Sequence, residues 1–377
     1  MKIEALALQR AKYKHLTDDE WRWFLQQVEG RERTADKLPT FAAIEDWWYP
    51  VRLSCEQCSS ELAARYKASL VERQKTASLK EESRFVDLTG GYGVDTYFLS
   101  DRFAHTDYVE QNAELCRIAT HNFADKPVSI HNSTAEDFLA SAGQYDLIFL
   151  DPARRDSHGG KVFRLQDCTP NVVELLPTLL SHGKRIMIKL SPMLDLTQAV
   201  KELSAVTWDI YVVAIKNEVK EVLLLSGDSG QITAIDLEKK DQAFVFTRKE
   251  EQKCSLEIGD WKLENYLYEP NAAILKAGAY KLIAERFGLH KLDVNTHLYC
   301  SEKLVSNFPG RIWRIKGEGA KGERANVLCR NYPLTPEQLK KKLHLRDGGT
   351  AYVIGCRVAG KPTLFFAERV EDIHPES

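Results

Sequence analysis

The stretch Arg84–Asp95, RFVDLTGGYGVD, limits what this chain can fold into more than any other. Phe85, Val86 and Leu88 form a short apolar run suited to a buried strand, with Asp87 near its end. Thr89, Gly90, Gly91 and Gly93 break that strand. Val94 to Arg102 (VDTYFLSDR) then has helical spacing, so the unit predicts strand, glycine-rich turn and helix. Such a turn lets backbone N–H groups approach a ligand closely.

The glycines do not fit the dinucleotide fingerprint G-x-G-x-x-G, because the third position falls on Thr96. Acids stand at the strand end (Asp87) and just after the turn (Asp95), which suits a ligand carrying positive charge better than a pyrophosphate. S-adenosylmethionine, with its ammonium and sulfonium, is such a ligand. The stretch resembles the first motif of the class I S-adenosylmethionine-dependent methyltransferases. That resemblance implies a donor site shaped by Asp87, Thr89, Gly91, Gly93 and Asp95. Taken alone, an ordinary tight turn between strand and helix remains the plain alternative.

Downstream, strand and helix signals alternate as in a doubly wound sheet. Thr106 to Glu110 is a second strand ending in an acid, followed by a helix from Asn112 to Phe123. An acid in that place can accept both ribose hydroxyls. Val128 to His131 gives a third strand, followed by STAEDFL. In the methyltransferase pattern an acid here contacts the adenine amino group, which implies Asp137, with Glu136 close behind. Ser133 or Thr134 capping the next helix, with Glu136 or Asp137 reaching back, explains the same residues equally well. Tyr145 to Leu150 is a fourth strand, ending at Asp151. Ligands of open α/β sheets bind outside the carboxyl ends of the strands, so Asp87, Glu110, Asp137 and Asp151 should converge on one crevice.

Asp151-Pro152-Ala153-Arg154 resembles the fourth motif of methyltransferases that modify amino nitrogens or bases. The resemblance implies that Asp151 and Pro152 hold the acceptor in line with the donor, with Arg154 and Lys189 near the substrate. Those enzymes usually carry an aromatic residue where this chain has Arg154; a guanidinium can stack or bind phosphate instead. D-P-A-R is also similar to the uracil-C5 RNA methyltransferases. Their nucleophilic cysteine is missing after the next strand, where the chain reads Lys189-Leu190-Ser191-Pro192-Met193-Leu194-Asp195, and this disfavours a C5 mechanism.

Lys184 to Leu190 is the fifth strand. TWDIYVVAIK and VKEVLLL follow, separated only by Asn217 and Glu218, and so short a link can join only antiparallel strands. The prediction is an α/β fold: a Rossmann-like seven-stranded methyltransferase sheet with its last strand antiparallel.

Around this core the expected organisation is an N-terminal helical region (1–80), the methyltransferase domain (81–228) and a small antiparallel β extension (229–264). The extension is read from the alternating segments QITAIDLE, QAFVFTRKE and CSLEIGDWKLE, and a ferredoxin-like segment (265–308) and a THUMP-like domain (309–377) complete an α+β C-terminal part. There the residues predict a helix from about Asn271 to Phe287 followed by a strand, then a strand at GRIWRIKG, a helix at TPEQLKKKLHL, and two strands at TAYVIGCRV and KPTLFFAERV. In the leader, Trp21, Trp23, Trp47 and Trp48 are taken as packing residues rather than base-stacking ones. Cys55 and Cys58 form a C-x-x-C with no second ligand pair at zinc spacing, so no metal is expected. The eight cysteines are scattered, as in a chain with reduced thiols. No apolar run approaches a membrane span, and MKIEALALQRAKYKH lacks the apolar core of a signal peptide. The expectation is a cytoplasmic protein with no membrane partner.

The net charge of -2 implies neither nucleic acid nor membrane. Its distribution is more telling: residues 309–370 hold 13 Lys and Arg against 5 Asp and Glu. A basic appendage on an otherwise acidic chain suits a phosphate backbone, while a merely solvated basic face around Lys340, Lys341 and Lys342 is the alternative.

DLTGGYGVDT, YVEQN, DPARRD, IKLSPMLDL, NEVKEVLLL, YLYEPNAAILKAG and FPGR together resemble one bacterial family of class I methyltransferases with a ferredoxin-like segment and a C-terminal THUMP-like domain. In that family Pro50, Arg52, Glu56 and Gln57 lie in a leader packed beside the active site. The resemblance implies methyl transfer from S-adenosylmethionine to RNA, tRNA or rRNA, with a base amino nitrogen as acceptor. A methyltransferase acting on a protein or small molecule, and a non-catalytic RNA-binding protein, are the alternatives.

Overall fold

The computed structural model describes residues 3, 6, 9–73, 82–154, 165–239, 242–255, 258, 265–317 and 324–370, without the side chains of 72, 73 and 154. It divides into two compact units, Met1–Trp208 with Leu223–Asp228, and Asp209–Val222 with Ser229–Ser377.

Before its sheet the first unit carries α1 (Asp18–Thr34), α2 (Pro39–Ala43), α3 (Arg52–Gln57) and α4 (Glu61–Arg73). A capping box starts α1: Thr17 Oγ1 accepts from the Glu20 amide at 3.2 Å, and the Glu20 carboxylate accepts from the Thr17 amide at 2.7 Å. The tryptophans pack. Trp47 stacks on Phe41 with ring centroids 4.0 Å apart and donates to the Tyr92 hydroxyl at 2.9 Å. Trp48 lies flat on His121, 3.8 Å between centroids.

Five parallel strands follow: β1 (Arg84–Asp87), β2 (His105–Glu110), β3 (Val128–Asn132), β4 (Leu147–Leu150) and β5 (Ile186–Leu190). Between them lie α5 (Val94–Ser100), α6 (Ala113–Asn122), α7 (Ala135–Leu139) and α8 (Val172–His182), and α9 (Leu196–Glu202) comes after β5. Every residue of β4 and β5 is buried, the near-continuous apolar pattern that a parallel sheet covered on both faces demands. Neighbours run β5-β4-β1-β2-β3. The chain therefore reverses direction across the sheet between β1 and β4, which opens a crevice at their carboxyl ends.

Strand β6 (Trp208–Ile215) and strand β7 (Glu218–Ser226) form the expected hairpin. Its two linking residues, Lys216 and Asn217, have φ of 54° and 60°, the left-handed pair of a type I′ turn. The last four residues of β7 belong to the first unit, where Ser226 Oγ accepts from the Ile186 amide at 2.8 Å.

In the second unit β8 (Gln231–Asp236) runs parallel to β6, and only β9 (Phe244–Thr247) is antiparallel to it. The expected small antiparallel extension is thus corrected in part: β8 and β9 do pair antiparallel, but β8 joins the main sheet parallel to β6. Strand β7 has β5 on one side and β6 on the other, so the free edge of β6 takes the next strand. The residues QAFVFTRKE give β9 and then a helix, α10 (Arg248–Lys253). Most of CSLEIGDWKLE lies outside the described residues.

A second sheet comprises β10 (Tyr266–Pro270), β11 (His290–Lys291), β12 (Tyr299–Ser301), β13 (Gly310–Lys316), β14 (Asn326–Arg330), β15 (Ala351–Val358) and β16 (Lys361–Arg369). Its order is β11-β12-β10-β13-β16-β15-β14. Strand β14, absent from the expected pattern, pairs parallel with β15. The single helix expected over 271–287 is two, α11 (Ala272–Ala277) and α12 (Leu282–Phe287). Gly278 at φ 82° ends the first, and the buried Glu251 carboxylate caps the second by accepting from the Lys281 and Leu282 amides. Helix α13 (Pro336–Leu343) lies where the sequence predicts it.

Part of the basic charge of 309–370 is spent inside this unit. Arg311 and Arg330 both close on Glu269, whose side chain is 3% exposed. Lys340 pairs with Asp347 and Lys316 with Glu368. Arg314, Arg324, Lys341, Lys342, Arg346 and Lys361 remain exposed. Removing one member of a buried pair strands the others, although here both arginines can swing toward water. Glu269→Ala should therefore destabilise the protein by about 2 kcal/mol, measured by urea denaturation.

Candidate active site

The carboxyl ends of β1, β2 and β4 and the start of α7 frame a cavity of about 500 Å³. Its wall includes Asp87, the 88–95 turn, Glu110, Ser133 to Glu136, Asp151, Ala153, Thr169, Pro170 and Lys189. Ser54, Gln57, Cys58 and Ser59 of the leader complete it.

Glycines shape the turn. Gly91 and Gly93 have φ of 57° and 82°, and a Cβ on Gly90 would stand 2.1 Å from the Tyr108 ring. Tyr108, fully buried on β2, holds the turn by donating to the Gly91 carbonyl at 2.5 Å. Glu110 holds it from the other side, accepting from the Gly91 amide at 2.9 Å and from the Asn112 amide at 2.8 Å.

Asp87 is 1% exposed. It accepts from Thr96 Oγ1 at 2.6 Å and from the Thr89 amide at 3.0 Å. Burial raises its pKa to about 7; the two hydrogen bonds pull the other way, and the charges of Asp95 and Asp151 add to the rise. Thr89 ties β1 to β4, because its hydroxyl accepts from the Asp151 amide at 2.6 Å.

Asp95 and Lys189 lie in a buried ionic cluster that the leader completes. Ser59 Oγ donates to Asp95 Oδ2 at 2.7 Å, and Lys189 Nζ stands 3.0 Å from Ser59 Oγ and 3.4 Å from Asp95 Oδ2. Lys67 on α4, 0% exposed, sits 3.1 Å from Asp95 Oδ1 and 3.3 Å from Ser59 Oγ. That Oδ1 contact is an ion pair without hydrogen-bond alignment. Burial alone would raise the Asp95 pKa, but Lys67, Lys189 and Ser59 together hold it below the usual carboxylate value. Lys189 also reaches forward to Asp151 Oδ2 at 2.5 Å. Asp151 is 40% exposed and faces the cavity.

The structure thus brings Asp87, Thr89, Gly91, Gly93, Asp95, Glu110, Asp151 and Lys189 onto one cavity. Pro152 is half-buried beside them. The side chain of Arg154 lies outside the described residues. Asp137 is exposed and is not part of the wall. Thr134 caps α7 by accepting from the Asp137 amide at 3.1 Å, and Glu136 is the acid that reaches the cavity. Asp95 lies on this wall with two ammonium groups, those of Lys67 and Lys189, set against its carboxylate.

Ser59 and Lys67 were absent from the sequence expectation. A signal for Lys67 existed, since it shares the buried face of α4 with Ala63, Ala64 and Leu70 at helical spacing. Cys58 lines the cavity, but burial raises its thiol pKa and lifts that of Cys55 to about 12, so neither is a ready thiolate. Among the described residues no group of three His, Cys, Asp or Glu could hold a metal ion, and no helix is long and apolar enough to cross a membrane.

Residues 266–309 match the model of a ferredoxin-like domain, and residues 308–369 match that of a THUMP-like domain. A solved structure from Porphyromonas gingivalis W83, provisionally assigned as a methyltransferase, is similar over 94% of this chain and 92% of its own, at 32% identity and a TM-score of 0.82. The chain belongs to that family, which joins a class I methyltransferase fold to ferredoxin-like and THUMP-like domains. A partial likeness links 45% of this chain to 43% of the T. thermophilus 16S rRNA N2 G1207 methyltransferase in complex with AdoMet and guanosine, at 15% identity and TM-score 0.35. Another links 46% of it to 84% of human methyltransferase-like protein 13 in complex with SAH, at 20% identity and TM-score 0.36. No curated protein matches the chain.

Two outcomes follow from the geometry. Gly90→Ala must displace the Tyr108 ring, and a loss of about 2 kcal/mol in denaturant unfolding is expected from such overpacking. Asp87 ionises near pH 4 in the unfolded chain and at about 7 when folded. Between those values only the folded state holds the proton, so this residue's contribution to stability falls as pH rises. The neutral Asp87→Asn variant lacks that decline, and its denaturation midpoint should gain on wild type from about pH 5 to about pH 8.

Proposed function

We propose that the protein transfers the methyl group of S-adenosylmethionine to RNA, tRNA or rRNA, with a base amino nitrogen as acceptor. The observation that carries this reading is the placement of Asp151: its amide is fixed by Thr89 of the glycine turn, its carboxylate by Lys189, and both face the cavity bounded by Asp87 and Glu110.

The cavity fits the donor in size and charge. Its volume lies within the range of small-molecule sites, and its glycine turn leaves the backbone open to close approach. When bound, the donor supplies an electrophilic methyl carbon and a thioether leaving group. Asp87 at the β1 tip offers negative charge to the ammonium and sulfonium end. Glu110 keeps free lone pairs for the ribose hydroxyls beside its two backbone bonds. Glu136 takes the adenine-side place that the family pattern implies for an acid.

Asp151 accepts an N–H of the acceptor amino group and aims its lone pair at the methyl carbon. Alignment of this kind supplies most of the rate in a displacement that otherwise needs little from the protein. As the nitrogen–carbon bond forms, the carbon–sulfur pair stays with sulfur, and the surplus nitrogen proton passes through Asp151 to solvent. The exposed Arg314, Arg324, Lys341, Lys342, Arg346 and Lys361 offer charge to a phosphate backbone.

Mass spectrometry of nucleosides from a deletion strain and its parent tests the reading. One methylated amino nucleoside should be missing from the deletion strain's RNA. Identical RNA modification, with methyl transfer found on protein or a small molecule, would overturn the RNA assignment. Asp151→Ala should lower methyl transfer by at least about 100-fold while leaving donor affinity within about twofold, read by radiometric transfer and calorimetry.

A further inference from the structure

We propose that Lys67, carried by the leader helix α4, is a positioning residue that sets the acceptor-holding carboxylate of Asp151 through Asp95 and Lys189. The inference rests on the functional reading above and assigns part of that site to the leader.

The chain of contacts is continuous and buried. Lys67 Nζ faces Asp95 Oδ1 at 3.1 Å, Lys189 Nζ faces Asp95 Oδ2 at 3.4 Å, and Lys189 Nζ faces Asp151 Oδ2 at 2.5 Å. Lys189 therefore stands between two carboxylates and leans toward Asp151. What permits the lean is Lys67. It supplies Asp95 with a second positive charge, at an oxygen that receives no aligned hydrogen bond. A buried carboxylate left with Lys189 as its nearest cation would draw that ammonium inward, because unmatched charge is costly away from water. Ser59 lies among the three groups, 2.7 Å from Asp95, 3.0 Å from Lys189 and 3.3 Å from Lys67, and fixes the spacing between the two lysines.

Lys189 moving toward Asp95 would release Asp151, which is 40% exposed and would turn toward solvent. A displacement of this size at the acceptor holder lowers the rate without touching the donor-facing wall of Asp87, the glycine turn and Glu110. Lys67 itself is 0% exposed and is not part of the cavity wall, so it acts through Lys189 and not on a ligand.

The test follows transfer from tritiated S-adenosylmethionine to total RNA of a deletion strain, with donor affinity measured by calorimetry on the full chain. Lys67→Met is expected to lower kcat by about 100-fold and to leave donor affinity within about twofold. In an Asp151→Ala background the same substitution is expected to cost nothing further, because the carboxylate it positions is gone while Asp95 keeps Lys189 as its cation. Lys67→Gln serves where Lys67→Met does not fold, since it keeps a donor and removes only the charge. Wild-type kcat in a folded Lys67 variant overturns the proposal, as do multiplying losses in the double variant. If neither variant folds, Lys67 is structural and the proposal fails. A wild-type protein that transfers no methyl group refutes the functional reading, and the inference falls with it; wild-type transfer that Lys67→Met does not alter refutes the inference alone.

Discussion

A carboxylate withdrawn from water must be protonated, hydrogen-bonded or matched by a cation, and the acids around this cavity meet that demand in four ways. Asp87 moves toward its protonated form and leans on two threonine contacts. Asp95 is matched by two lysines. Glu110 takes two backbone amides. Asp151 keeps one side in solvent and one on Lys189. On the proposed reading these differences divide the work: Asp95, matched by cations, holds the framework, and Asp87, Glu110 and Asp151 face the ligands.

This division explains why the parallel sheet does not stand alone at its cavity edge. The turn after β1, the tip of β4 and the end of β5 meet through Thr89 and Lys189, yet one of the two charges that balance Asp95 comes from α4, ahead of the sheet in sequence. The helical leader is in this sense part of the site. Its aromatic contacts, Trp47 on Phe41 and Tyr92 above all, bring it against the same glycine turn.

Much of this was legible from residues whose type and spacing leave few choices. A glycine turn between an acid-ended strand and a helix, repeated acids at strand ends and a two-residue hairpin link dictate a sheet order and a ligand edge. Asp137 and Glu136 show the limit: adjacent acids on one helical turn differ in facing by a single step, and the cap at Thr134 decides which reaches the cavity. The 229–264 region, where β8 and β9 do pair antiparallel, shows another limit. Alternation reveals a strand but not its partner, and β8 pairs parallel with β6 where an antiparallel extension was expected. Gly278 split an expected helix because a left-handed cap looks, in sequence, like a tolerated interior glycine. Lys67 was hidden by its charge, which marks a solvated position until its buried neighbours are seen.

Calorimetric titration of the full chain with S-adenosylmethionine tests most directly whether these acids form one pocket for a cationic donor. The account predicts a single saturable site with micromolar affinity, weakened by Glu110→Ala and lost with Asp87→Lys. Absence of binding at millimolar donor, or saturable binding that neither substitution changes, would contradict it.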